Sequence, residues 1–270
     1  MLFSILIAHY NNYNYFLDCY KSILEQSYQN FEVVIVDDCS TDDSFEKIKE
    51  LTKNDSRFVL FRNESNKGVG HTKRKCAELA TGEICGFVDP DDALAPNALE
   101  VSLKNHTGNN VVAYSSFVLC DQNLKPQKPF PHSRAVKNSD KMFFNVLLEA
   151  NHFFTFKKSA YDKTSGINAE LTSAVDQDLY LKLYEIGNFK FIKEPLYLYR
   201  LHPNGVSQDS SKKTKLSENW QLVILNTLER RNIKTLYGEN IHKINNLPAF
   251  ILKKQNTFLK KIQRKLQKWI

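Results

Sequence analysis

Short unbroken apolar runs alternate with stretches in which apolar residues recur every three or four positions. Residues 4–8, 31–36 and 84–88 are continuous runs of the first kind, the pattern of strands buried on both faces. Between them Phe16, Leu17, Tyr20, Ile23 and Leu24 fall at helical spacing as far as Gln26, and Phe45, Ile48 and Leu51 mark the core side of a second helix. Residues 57–61 read as a third strand. After a turn over 63–68 a helix is predicted to run to Ala80, stopped by Gly82. The alternation predicts an α/β fold, with a mainly parallel sheet flanked by helices.

Further along, a helix over 97–105 and a strand over 111–118 are predicted. Pro126, Pro129 and Pro131 mark residues 120–138 as a long surface loop, expected over an acceptor site. Residues 142–148 read as helical, 153–156 as a short strand, and Val175 opens a helix whose first turn is acidic. Strands over 189–192 and 196–201 follow. A helix over 216–232, with Trp220, Leu222, Val223, Leu225 and Leu228, is expected to pack on the body.

In such sheets ligands bind outside the carboxyl ends of the strands. Two acidic clusters sit there: Asp37-Asp38 after the second strand and Asp89-Pro90-Asp91-Asp92 after the fourth. An Asp-x-Asp at a rigid strand end can be aimed at one hard cation, and Mg²⁺ or Mn²⁺ held this way is shared with substrate phosphates. The implied substrate is a nucleotide diphosphate. Each cluster alone also fits a plainer role: Asp and Pro build turns, Asp37 and Asp38 can begin a helix, and Asp176 and Asp178 can complement a helix dipole. His9, His71 and His152 form no ligand set and read as core or surface histidines.

Charge changes the picture at one end. Residues 251–270 carry seven Lys and Arg and no acid, matching the +7 of the whole chain, so the first 250 residues are nearly neutral. A nucleic-acid partner is therefore not expected. Phe258, Leu259, Ile262, Leu266, Trp269 and Ile270 share one helical face opposite the basic residues, the build of a helix lying on an anionic membrane surface. The five cysteines are scattered without any Cys-x-x-Cys, which suggests neither a disulfide framework nor a zinc site. No apolar run approaches the roughly 20 residues of a membrane span. A cytoplasmic protein, peripheral on the inner face of the plasma membrane, is expected.

The ordered pieces Ser4-Ile5-Leu6-Ile7-Ala8-His9-Tyr10-Asn11, Val34-Ile35-Val36-Asp37-Asp38-Cys39-Ser40-Thr41-Asp42, Asn66-Lys67-Gly68-Val69, Ala80-Thr81-Gly82-Glu83, Asp89-Pro90-Asp91-Asp92, Asp176-Gln177-Asp178-Leu179 and Tyr199-Arg200-Leu201-His202 resemble family 2 glycosyltransferases of GT-A fold, over about residues 1–205. The resemblance implies a catalytic domain over 1–205 and a helical extension over 206–270. It implies transfer of a sugar from a nucleotide diphosphate donor, a UDP-sugar being favoured, to a hydroxyl of a saccharide or lipid-linked acceptor in surface polysaccharide synthesis. Tyr10 and Asp38 would hold the base, with Asp37 supporting the turn and Gly68 and Lys73 joining the donor site. Asp89 would face ribose and diphosphate and, with Asp91 and His202, the metal, Mn²⁺ or Mg²⁺. Asp176 would be the general base, and a single base implies inversion. Ala8-His9 stands where the family has Pro-Thr, Val175 where it has Glu, and Lys73-Arg74 where it has Arg-Asn. The alternatives are a nucleotidyltransferase of similar sheet, though the expected glycine-rich first loop is missing, and a non-catalytic membrane adaptor, which leaves the acids without a role.

Overall fold

A computed structural model describes residues 1–203, 205 and 213–257. The first half is the predicted alternation: β1 (Phe3–His9), α1 (Tyr13–Leu24), β2 (Phe31–Asp37), α2 (Ser44–Thr52), β3 (Phe58–Arg62), α3 (Val69–Leu79) and β4 (Ile84–Phe87). These four strands are mutually parallel, in the order β3-β2-β1-β4. Residue parity sorts the core. Ile5, Ile7, Val33 and Ile35 face α1 and the helix Ala98–Asn105, whereas Leu6, Val34 and Val36 face α3 and the helix Val175–Tyr184, as a two-residue strand period requires.

The remaining elements are β5 (Ala93–Leu94), α4 (Ala98–Asn105), β6 (Asn110–Cys120), β7 (Pro126–Pro129), β8 (Phe154–Lys157), α5 (Lys158–Tyr161), α6 (Val175–Tyr184), β9 (Asn188–Arg200), α7 (Lys213–Arg230), β10 (Thr235–Leu236), β11 (Glu239–Asn240) and α8 (Leu247–Gln255). The sheet continues β4-β8-β6-β9-β5, with β8 antiparallel to both its neighbours and β9 parallel to β6. It is thus a mixed sheet around a parallel half.

Several local expectations change as well. The proline-rich loop contains β7, antiparallel to the far end of β6; a proline is tolerated because β7 lies at the margin of the sheet. Two predicted strands are one, β9, whose register shifts opposite Ser116 where Pro195 sits. Residues 142–148 are turns rather than a helix: Asn145 and Leu148 adopt φ of 49° and 51°, which no helix accommodates. Their apolar spacing has another cause. Phe144 and Val146 plug a satellite core made with Ile224 and Leu228 of α7 and Leu247 and Ile251 of α8. Residues 251–255, expected in the basic tail, therefore belong to a docked helix, while the amphipathic face expected over 258–270 lies outside the described residues. Among the described residues no helix is long and apolar enough to cross a membrane.

One buried histidine makes stability pH-dependent. His106 Nε2 lies 2.9 Å from Thr155 Oγ1, whose own proton goes to Ala113 O, so Nε2 carries the ring proton. Burial pushes the imidazole down to about 3. Because the unfolded ring takes a proton near 6.5 and the folded one does not, the folded state loses stability as pH falls from 6.5 toward 3, by about 1.4 kcal/mol per pH unit at most. Urea titrations between pH 7 and 5 are expected to show this loss, and His106→Gln is expected to flatten it.

Candidate active site

Because β1, β2 and β4 are parallel, their carboxyl ends share one rim of the sheet, with His9 paired to Asp37 in register. Asp37 is fully buried. It accepts from His9 Nδ1 at 3.1 Å and from Ser40 N at 2.8 Å; burial alone would raise its pKa, but the bonds from His9 and Ser40 prevail and hold it below the ordinary carboxylate range. It fastens the β2–α2 turn and does not reach the open rim. Asn11 ties the adjoining β1–α1 turn to the same place, its Oδ1 accepting from Thr41 N at 2.8 Å. Tyr10 stands beside it with 44% of its surface exposed.

Asp38 points the other way. Its Oδ1 accepts from Asn63 Nδ2 and Lys67 N, and its Oδ2 from Gly68 N, each at 2.8 Å. Three of the four lone-pair positions of a carboxylate are thereby used, leaving one for a ligand. Gly68, at φ 85°, provides the left-handed turn that presents its N–H.

The acidic turn after β4 rests on β9. Tyr197 Oη accepts from Asp89 N at 3.1 Å and donates to Asp92 Oδ2 at 2.7 Å, while Arg200 N donates to Asp92 Oδ1 at 2.7 Å. The Arg200 guanidinium holds Asp91 O, Gln122 O and Asp18 Oδ2 at 2.6–2.7 Å and lies over the Tyr15 ring. Burial, then Asp91 and Asp89, push the Asp92 carboxyl well up. Asp92 is thus a support of the loop, and Asp89 and Asp91 carry the outward carboxylates. Asp91 Oδ2 meets His202 Nε2 at 2.8 Å.

Lys73, on α3, is nearly buried and bridges two acids: its Nζ is 2.9 Å from Asp176 Oδ1 and 3.1 Å from Asp89 Oδ1. Burial opposes its charge, but Asp176 and Asp89 outweigh that and keep the ammonium protonated. The same lysine holds Asp89 below the ordinary range against burial. Arg74, in contrast, turns away to Glu78 and to Ile167 O.

Asp176 lies in the first turn of α6, a helix buried almost throughout because the sheet covers one side and α7 the other. Its approach is pinned twice: Asn219 of α7 donates to Thr172 Oγ1 and Ser173 Oγ, and Gly70 N donates to Leu171 O at 3.1 Å. Asp178 faces inward to Asn168 N and Lys182. A Cβ on Gly70 would sit 2.5 Å from Leu171 O, so Gly70→Ala is expected to push back the strap that leads to Asp176. We expect turnover to drop about ten-fold or more for a displacement on the order of 1 Å, and the melting midpoint to fall as well, because every atom the Cβ would meet is a backbone carbonyl oxygen; steady-state kinetics beside a thermal melt checks this.

Around these groups lies a cavity of about 760 Å³, lined among others by Tyr10, Asp38, Gly68, Lys73, Asp89, Asp91, His152 and Asp176. A second, of about 670 Å³, lies across Tyr10, shares Asp91 with the first and is also lined by His202. Every predicted site residue except Asp37 and His202 lines the larger cavity, and His202 adjoins it through Asp91. Sequence reasoning missed Tyr197, Arg200 and His152; two of these read as ordinary strand positions. Burial pushes the Cys76 and Cys85 thiols up to about 12, so neither is a nucleophile.

A half-parallel sheet with acids at its carboxyl-end rim fits the GT-A fold of nucleotide-sugar transferases, and the comparisons place the chain there. Residues 4–165 match the model of glycosyl transferase family 2, and the chain belongs to that family. It is 31% identical over 236 residues to a chondroitin synthase of Escherichia coli, covering 86% of this chain and 33% of that protein. It is 30% identical over 238 residues to a hyaluronan synthase of Pasteurella multocida, covering 88% and 24%. The chain thus spans a third or less of the length of these relatives. Among solved structures, S. aureus TarS in complex with UDP-GlcNAc matches with a TM-score of 0.67 at 21% identity, over 84% of this chain and 67% of that one. The mannosyltransferase PcManGT from Pyrobaculum calidifontis, in complex with GDP-Man and Mn²⁺, matches at 0.64 and 14%, over 98% and 79%. Both likenesses carry the fold.

Proposed function

We propose that this chain transfers a sugar from a nucleotide diphosphate donor, UDP-linked by preference, to a hydroxyl of a saccharide or lipid-linked acceptor in bacterial polysaccharide synthesis, with inversion at the anomeric carbon. One observation carries the reading: a single cavity joins Tyr10, Asp38, Asp89, Asp91 and Asp176. The exposed Tyr10 ring offers a stacking face for the base, and the remaining lone pair of Asp38 accepts an imide N–H. The relatives named for glycosaminoglycan synthesis, and TarS with UDP-GlcNAc, support the choice of donor.

The donor set suits Mn²⁺ or Mg²⁺. Asp91 and His202 already meet at 2.8 Å, and an ion that takes one or two protein ligands draws the rest from water and diphosphate. Among the described residues no third metal-ligating side chain joins them, and Asp89 is turned to Lys73. When bound, the metal would neutralise charge on the departing diphosphate; PcManGT with Mn²⁺ supports this.

The chemistry left to the chain is proton removal. The acceptor oxygen forms the new bond to the anomeric carbon as the carbon–phosphate oxygen bond breaks, the electron pair leaves with the nucleotide diphosphate, and Asp176 takes the hydroxyl proton. Asp89, Asp91 and Asp92 are engaged by Lys73, His202 and the Tyr197–Arg200 pair respectively. With Asp38 turned to Asn63, Lys67 and Gly68 and Asp176 read as the base, no further carboxylate among the described residues lines the larger cavity to form a covalent intermediate, which supports single displacement.

The test is a thermal-shift panel of UDP, GDP, dTDP and CDP sugars with and without Mn²⁺. A metal-dependent rise with one nucleotide supports the reading; no rise with any donor in a folded protein overturns it. The basic end is read as the contact with an anionic membrane surface that brings a lipid-linked acceptor within reach. Since α8 reaches Gln255 and is docked, the informative truncation removes 258–270 and leaves α8 in place. Sedimentation with phosphatidylglycerol vesicles is expected to fall several-fold on that truncation, and unchanged binding would count against the membrane contact.

A further inference from the structure

Resting on the transferase reading, we propose that His152 contacts a saccharide hydroxyl at the reaction centre and so helps select the sugar. His152 lines the larger cavity, together with Asp89 and Asp176. The ring is stacked on Tyr197, with centroids 4.8 Å apart and an angle of 18°, next to Tyr199, with Phe117 edge-on at 5.8 Å. Tyr197 is the same side chain whose hydroxyl bonds Asp89 N, so the imidazole lies one ring away from the acidic turn.

Its position is fixed. The following residue bonds through its N–H to Ser115 Oγ at 2.8 Å, and Ser115 N donates to Phe153 O at 3.1 Å. Against this rigid backing, neither ring nitrogen of His152 has a hydrogen-bond partner among the described residues, and the residue is only half-buried. Aromatic packing alone would be served equally by phenylalanine. What histidine adds is a polar edge, which donates at one nitrogen and accepts at the other. A sugar hydroxyl, itself donor and acceptor, is the group that fits such an edge beside a carboxylate-lined reaction centre. It belongs either to the donor's sugar or to the acceptor.

The experiment compares wild type, His152→Phe, which keeps the stack, and His152→Gln, which keeps a polar edge. Calorimetry would give affinities for UDP and for the UDP-sugar chosen from UDP-GlcNAc, UDP-Glc and UDP-GlcA. Transfer of that sugar to water and to a panel of mono- and oligosaccharides would be timed. If the hydroxyl is the donor's, His152→Phe binds UDP as wild type does but the UDP-sugar about ten-fold more weakly, the loss expected for one buried hydrogen bond. If it is the acceptor's, both affinities and hydrolysis stay unchanged while the acceptor KM rises about ten-fold. In either case His152→Gln recovers part of the loss. Equal binding, hydrolysis and transfer in His152→Phe and wild type overturn the proposal. Should the Phe variant fail to fold, the wild-type imidazole ¹⁵N resonances decide: they shift with UDP-sugar or saccharide but not with UDP, and a silent ring overturns it. Absence of any nucleotide binding to wild type would instead sink the transferase reading itself.

Discussion

Replacing Asp176 with Asn is expected to lower sugar transfer by about 10²–10⁴-fold, the range for loss of a positioned general base, while the donor binds as before. The substitution keeps the shape of the side chain and removes its capacity to take a proton. Asp176 is also a partner of Lys73, so a loss of activity through disturbed structure has to be separated from a loss of the base. The arrangement provides the control. Lys73 keeps Asp89 at 3.1 Å, and a lysine with one acid partner remaining is not left as a lone buried charge. The melting midpoint and the UDP-sugar affinity should therefore move little while kcat collapses. Were Asp176 only a structural counter-ion, the order would reverse: stability and donor affinity would fall and turnover per bound donor would survive. Rapid-quench measurement of a single turnover on saturated enzyme tells these outcomes apart.

The acids were legible in the sequence because parallel strands deliver their carboxyl ends to one rim, so that Asp38 and Asp89, about fifty positions apart, meet in one cavity. The first seven elements were legible for a related reason: each uses its own periodicity, with no long-range partner needed to define it. What was hidden depends on tertiary contact. Phe144 and Val146 mimic a helical pattern because they reach α7 and α8 from a turn. Tyr197 alternates like any buried strand residue, and only the pairing of β5 with β9 reveals that its hydroxyl holds the acidic turn.

Lys73 shows a subtler limit. Its place in the chain, where the family has Arg, suggested a part in the donor site, and in the structure its ammonium lies between Asp89 and Asp176. A cation buried between two carboxylates stays charged whichever it serves, so charge alone in the sequence does not distinguish the roles. His152 is the opposite case. Its histidine identity was visible, but the wall of rings that makes its polar edge informative was not.

Asp91→Ala is expected to abolish the metal-dependent part of donor binding, and with it transfer. In wild type at a ligand concentration 100 times Kd, mass action adds about 2.7 kcal/mol of stability, roughly 5–10 °C in the midpoint of a domain this size. In Asp91→Ala the Mn²⁺-dependent portion of that rise should vanish, leaving the smaller shift from base and ribose. The fold should survive, because the turn is held by Asp92 and by the Asp91 carbonyl, not by the Asp91 carboxylate. Asp92→Ala supplies the contrast: it strips Tyr197 Oη and Arg200 N of their buried acceptor and should lower the melting midpoint even without ligand, since leaving a buried donor unpaired costs about 1–3 kcal/mol. Two neighbouring carboxylates would then fail in two different ways, one in ligand binding and one in folding. A Mn²⁺-dependent shift that survives intact in Asp91→Ala would remove this residue from the metal site and leave His202 without its acidic partner in that role.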